Sequence, residues 1–202
     1  MGYGTGYIDA IISSGNLTIT TNTAITGNIT SSGTVATNLG NIYPLVSTNT
    51  ANTTSGTTVT VATGIPSWTK RITIVLNGIS MSGVSRILIQ LGYGSPVTYD
   101  TTNYQSTGEH YDGTDNPISQ ITSGFVIGSS SAATTIWNVL YTLINVPGSN
   151  TWIGGFSGGT SGGSVTFGGG RCDLSGTLTA IRLNTVNGTD TFDAGTVNIL
   201  YE

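Results

Sequence analysis

Charge is what this chain has least of. Only 7% of its 202 residues are Asp, Glu, Lys or Arg, against roughly 25% in an average soluble domain. Its polar surface must therefore be built from Ser, Thr, Asn and Gly. The five basic residues are scattered singly in a chain of net charge −4, so there is no electrostatic footprint for nucleic acid. One cysteine, Cys172, excludes an intrachain disulfide and any multi-cysteine metal site. It stands in Gly170-Arg171-Cys172-Asp173 with no candidate base beside it and reads as a small, half-buried thiol. No apolar run approaches the ~20 residues of a membrane-spanning helix. Met1-Gly2-Tyr3-Gly4-Thr5 opens without a basic or an apolar signal region, so no export signal is expected. No cofactor motif is found: Gly154–Gly170 is glycine-rich but lacks the Lys-Ser/Thr of a phosphate loop, and reads as loops and a weakly packed strand.

What the chain does have is strand pattern. Ile72-Thr73-Ile74-Val75-Leu76-Asn77-Gly78-Ile79 and Ile87-Leu88-Ile89-Gln90-Leu91 are short, β-branched and bounded by turn formers, as buried strands are. Pro66 cannot donate to a sheet ladder and belongs ahead of the first of them. Ser80–Ser85 between them reads as a hairpin or short inter-strand loop. Trp68, Ile72, Ile74, Leu76, Ile87, Ile89 and Leu91 are the expected core. Similar segments recur to the C-terminus: Thr57–Ala62, Val97–Tyr104, Gly124–Gly128, Thr134–Val146, Thr151–Phe156, Ser164–Gly170, Gly176–Asn184 and Gly195–Tyr201. In Gly176–Asn184 the spacing of Leu178, Ala180 and Leu183 slips by one, which suggests a bulge. No window of helical length has a convincing 3.6-residue period. The expected fold is all-β: an antiparallel, jelly-roll-like sandwich over residues 52–202, preceded by an extended β-rich arm.

The arm, residues 1–50, has its own logic. Tyr3, Tyr7, Ile8, Ile11 and Ile12 form an apolar terminus suited to docking on a partner surface; the other reading makes them a first strand. Residues 15–40 form a quasi-repeat with Ile19, Ile25, Ile29 and Val35 regularly placed. Such a unit cannot bury its apolar face alone, so association with copies of itself is expected; the other reading is a disordered linker, against which the regular spacing of these residues speaks.

One segment, 99–117, collects four of the nine acids (Asp100, Glu109, Asp112 and Asp115), the only histidine, His110, and three tyrosines, Tyr99, Tyr104 and Tyr111. It reads as a long loop. Three readings stand: a solvated loop tip; a sugar- or partner-contacting loop, with Tyr faces stacking on glycan; or a Ca²⁺ site on Asp112 and Asp115, though without the spacing of an EF-hand. Nothing directs Glu109 and Asp112 toward paired glycosidase chemistry. No Gly-x-Ser-x-Gly elbow accompanies His110. The expectation is a protein that is not an enzyme and holds no metal.

Gly64-Ile65-Pro66-Ser67-Trp68-Thr69-Lys70-Arg71 with the strands after it resembles the opening of a β-sandwich module of tailed-bacteriophage virion-surface proteins. The segment Thr185–Glu202, with Gly188-Thr189-Asp190-Thr191-Phe192-Asp193, resembles that module's close. The resemblance covers roughly residues 52–202 and brings no catalytic motif. It implies a structural protein of the virion, most phage fibres being homotrimers. Two expectations follow. One is a short trimeric tail or head fibre, docked by its arm on other virion proteins, with an outward sandwich contacting host-surface glycans. The other is a capsid cement protein whose arm clamps neighbouring capsid subunits. In the closing turn Asp190 and Asp193 are expected to bond turn backbone, with Phe192 sealing the domain end.

Overall fold

The computed structural model describes residues 35–37, 40–42, 45–113, 120–128 and 132–202. Tyr3, Tyr7, Ile8, Ile11 and Ile12, nearly all of the quasi-repeat, and Asp115 lie outside the described residues. The described residues are all-β and hold no helix. Thirteen strands form two antiparallel sheets. A separate two-stranded hairpin, β1 (Val35–Thr37) with β2 (Gly40–Ile42), precedes them.

The larger sheet runs in the order β3 (Val46–Ser47), β15 (Phe192–Tyr201), β6 (Arg71–Met81), β11 (Trp137–Asn145), β12 (Thr151–Thr160), β13 (Val165–Asp173), β9 (Tyr104–Tyr111). A short β4 (Ala51–Asn52) also pairs with β15. The smaller sheet is β10 (Phe125–Ile127), β7 (Ile87–Tyr93), β14 (Leu178–Thr185) and β5 (Thr58–Thr63), with β8 (Thr98–Tyr99) on β7.

Alternation builds the core. In β6 the even positions Ile72, Ile74 and Leu76 are buried because a pleated strand sends successive side chains to opposite faces. Each is worth roughly 1.5–3 kcal/mol on full burial. Ile87, Ile89 and Leu91 of β7 meet them from the smaller sheet within one contiguous core. Six of the seven expected core residues are there. Trp68 is half-buried and meets the Tyr201 ring at a tilt, 5.9 Å between centroids, just outside the sheet, where Pro66 has kept the chain off the ladder. The Ser80–Ser85 link is no hairpin: β6 and β7 belong to different sheets, and it carries the chain from one to the other.

The bulge expected near residue 181 is present. The β14–β5 register shifts between Ile181 and Arg182, and the β14–β7 register between Leu178 and Ala180. Ala180 and Ile181 are thereby both buried. A second pair of irregularities, where β15 meets β6, depends on glycine. Gly195 has φ +97°, and a Cβ there would lie 2.5 Å from the Gly78 carbonyl oxygen. Here the sheet bends by close backbone approach.

Three expectations need correction. Gly154–Gly170 is two full strands, β12 and β13, not loops. Its inward glycines make room for rings: a Cβ on Gly168 would stand 2.6 Å from Phe156, and Phe156 stacks on Tyr141 at 5.5 Å. Glycine in a strand then marks a close approach rather than weakness. Residues 104–111, expected as loop, are strand β9, paired along β13 from Tyr104–Cys172 to Tyr111–Val165. Val46–Ser47, counted with the arm, pairs with β15, so the sandwich draws in chain ahead of residue 52.

The sheets are also pinned by polar contacts. The Leu91 N–H donates to the Tyr104 hydroxyl at 2.7 Å in the interior. Arg71 and Glu202 pair side chain to side chain, and the Arg71 and Lys70 N–H groups both donate to the Glu202 carbonyl. The Tyr141 hydroxyl, by contrast, is buried without a hydrogen-bond partner.

These two tyrosines should respond oppositely to loss of the hydroxyl. Tyr104→Phe strands the Leu91 N–H and should cost about 1–3 kcal/mol, whereas Tyr141→Phe should be neutral or stabilising. Denaturant unfolding of the two variants checks this; the reverse order would contradict the inward placement of both rings.

Candidate functional site

The residues singled out in 99–117 do not converge. Because β9 alternates, Tyr104 and His110 point inward while Glu109 and Tyr111 point to the outer face of the larger sheet. Tyr104 is 1% exposed and meets Phe125 edge-on at 5.1 Å. It has no face to offer a sugar. The His110 ring lies 5.3 Å from that of Trp137, and its Nε2 is buried without a partner. Tyr99 sits on β8 of the other sheet with the Arg182 guanidinium 4.1 Å above its ring. Asp112 is exposed in the turn after Tyr111. Among the described residues no group of three His, Cys, Asp or Glu is placed to hold a metal ion.

Asp100 is a structural carboxylate. Burial acts to raise its pKa. The Thr102 and Asn103 N–H groups, the Asn103 amide and the Ser175 hydroxyl outweigh burial and hold it below the usual carboxylate range. It closes the turn into β9. Asp190 and Asp193 likewise serve the fold. Asp190 accepts the Ser85 N–H at 2.8 Å, across to the inter-sheet link rather than within its own turn. Asp193 accepts the Ser80 hydroxyl, not backbone. Phe192 is buried as expected. Cys172 is fully buried, more so than expected, and burial pushes its thiol up to about 12, which leaves negligible thiolate at neutral pH.

Among the described residues two other surfaces stand out, the first of them built partly from segment 99–117 itself. The first is a polar groove of about 350 Å³ at the start of β9, lined by Thr102, Asn103, Gln105, Gln120, Thr122 and the Arg171–Asp173 ion pair. Amides and hydroxyls of this kind match sugar hydroxyls.

The second is the outer face of the larger sheet. Leu140, Ile144, Ile153, Val165 and Phe167 on β11, β12 and β13 are each 49–53% exposed, and Ile136 and Tyr111 extend the same face. Scattered exposed apolar residues are ordinary, but a contiguous set marks an interaction surface. The register arranges them in rows across the strands. Ile144 stands beside Ile153; Leu140, Ser157 and Phe167 form a parallel row; and between them lie Thr142, Gly155, Gly169 and Thr107. The glycines make this middle row a trough. At one end it opens into a hollow of about 560 Å³ lined by Ile144, Val146, Pro147, Ile153 and Gly155. At the other it meets a smaller hollow between Glu109 and Phe167. The outward alternation of β11, Asn138-Leu140-Thr142-Ile144, was readable in the sequence. The trough was not, since it needs the pairing of three strands.

No protein-family model, curated protein or solved structure matches this chain.

The buried thiol gives a direct check on the Cys172 reading. A thiol reagent should leave the native protein unlabelled while it labels the denatured chain fully. Rapid native labelling would contradict both the burial and the raised pKa.

Proposed function

We propose that this chain is a non-enzymatic structural protein of a tailed-phage virion: a short homotrimeric fibre. The arm ahead of Val46 docks it on other virion proteins, and the sandwich faces outward to contact host-surface glycan. The observation that carries this reading is the uncovered apolar face on a chain with almost no charge. A protein that works alone in solution rarely leaves such a surface open, whereas a protein assembled among others covers it. The resemblance to the phage module adds support. Its two segments, Gly64–Leu91 and Thr185–Glu202, contribute the neighbouring strands β6 and β15.

Glycan contact moves in this reading from a tyrosine-bearing loop to the amide-lined groove around Gln105 and Gln120. Weak single-site affinity, multiplied by the avidity of three copies, suffices for attachment. The same apolar face also suits a second reading, a capsid cement protein, in which the face is buried on the particle.

Two full-length variants separate these readings: Ile8→Asp/Ile12→Asp in the arm, and Gln105→Ala/Gln120→Ala in the groove. Each is mixed with host cells and with particles stripped of the protein. The fibre reading predicts saturable binding to cells that survives the arm variant and falls at least tenfold with the groove variant. Binding to particles alone, abolished by the arm variant and accompanied by greater particle stability, would make the protein a cement and remove the glycan contact.

A further inference from the structure

We propose that the outer face of the larger sheet is covered by a second copy of this chain, the row carrying Phe167 of one copy entering the Ile144–Ile153 hollow of the next. The inference rests on the homo-oligomeric reading above and names the surface that would hold the oligomer together.

Four observations select a copy of the same chain over another occupant. First, ridge and hollow occur on one face. Phe167 projects at the β13 side, and the 560 Å³ hollow floored by Gly155 opens at the β11–β12 side. The face therefore carries both halves of a knob-and-hole contact. Such a pair, repeated head to tail, closes a ring when the rotation allows.

Second, the centre of the face carries no charge. Its two inner rows are Leu140-Ser157-Phe167 and Thr142-Gly155-Gly169, and the one acid in the first row, Glu109, stands at its β9 end beside Phe167. The bordering arginines are already neutralised within the chain, Arg71 by Glu202 and Arg171 by Asp173. Two copies would meet without desolvating an unpaired guanidinium.

Third, the area is sufficient. The six strands from β15 to β9 have eight to eleven residues each; at ~30 Å long and ~4.8 Å apart they span ~29 Å. The whole outer face thus offers ~850 Å² per copy, with the apolar rows at its middle, against the roughly 800 Å² per partner of a standard stable interface. Fourth, packed sheet faces settle ~10 Å apart with interdigitating side chains. A row of glycines beside rows of Ile, Leu and Phe is the relief that such interdigitation uses.

The test uses the full chain. Sedimentation equilibrium gives its oligomeric state, and the new thiol of Ile153→Cys is timed with a maleimide against that of Val84→Cys, whose site is 60% exposed and off this face. The native Cys172 is buried and silent. The expected result is an oligomer in which the position-153 thiol reacts at least tenfold more slowly than the position-84 thiol. Leu140→Lys/Phe167→Lys should erase that protection and raise the dissociation constant at least tenfold. Both positions are half-exposed, so the variant should keep its thermal unfolding transition.

An oligomer whose position-153 thiol reacts as fast as the control would overturn this interface and leave the trimer standing on its arm. A dimer with strong protection would uphold the interface and overturn the trimer. A chain that stays monomeric at high concentration would overturn both. Protection seen only on virus particles would assign the face to another virion protein, against this proposal.

Discussion

The two-sided pairing of β6 is the constraint on which the rest of the molecule depends. It lies between β15 and β11, hydrogen-bonded to both, and its inward Ile72, Ile74 and Leu76 enter the core with no more than 2% exposure. Fixing its pleat fixes the sign of every neighbour. Because β6 faces the core at even residues, register places Leu143, Tyr141 and Val139 of β11 inward and Leu140 and Ile144 outward. The next register step does the same for β12, then β13, then β9. A one-residue slip would exchange the buried and exposed sets throughout. The uncovered apolar face and the buried Tyr104 are thus two consequences of one phase.

That phase also explains how much could be read from the sequence. Isolated apolar runs such as Ile72–Ile79 and Ile87–Leu91 declare themselves, because nothing but burial accounts for so many β-branched residues in so short a span. The slip in Leu178–Leu183 declared its bulge for the same reason. The site was harder. Tyr104, Glu109, His110 and Tyr111 are close in the chain, and closeness suggested one cluster. A strand sends neighbours to opposite sides, and Tyr104-Gln105-Ser106-Thr107-Gly108 is too poor in large apolar residues to look like one. Its inward positions are Tyr, Ser and Gly, and at Gly108 Phe156 fills the space a side chain would need: a Cβ there would stand 2.9 Å from its ring. A partner's ring, not the strand's own composition, completes the pattern.

Glycine misled for a related reason. Propensity counts it against strands, yet β12 and β13 carry it on both faces. Inward, it admits Phe156 and Tyr141; outward, it cuts the trough between two apolar rows. Each use depends on what lies across the strand, so neither can be inferred from one segment alone. The acids give the opposite lesson. Asp100, Asp190 and Asp193 all hold backbone or hydroxyl groups near turns and sheet ends. A chain with so few charges spends several of them on its own folding, and its surface is left to amides, hydroxyls and uncharged apolar rows.

The measurement closest to the centre of this account is native-state hydrogen exchange of the full chain. If β6 organises the sandwich, the Ile74 and Leu76 amides should exchange only through global unfolding, with an opening free energy equal to that from denaturant. Amides of the short strands β3 and β8 should open at far lower cost. Ile74 and Leu76 amides exchanging as readily as those edge strands would contradict the account.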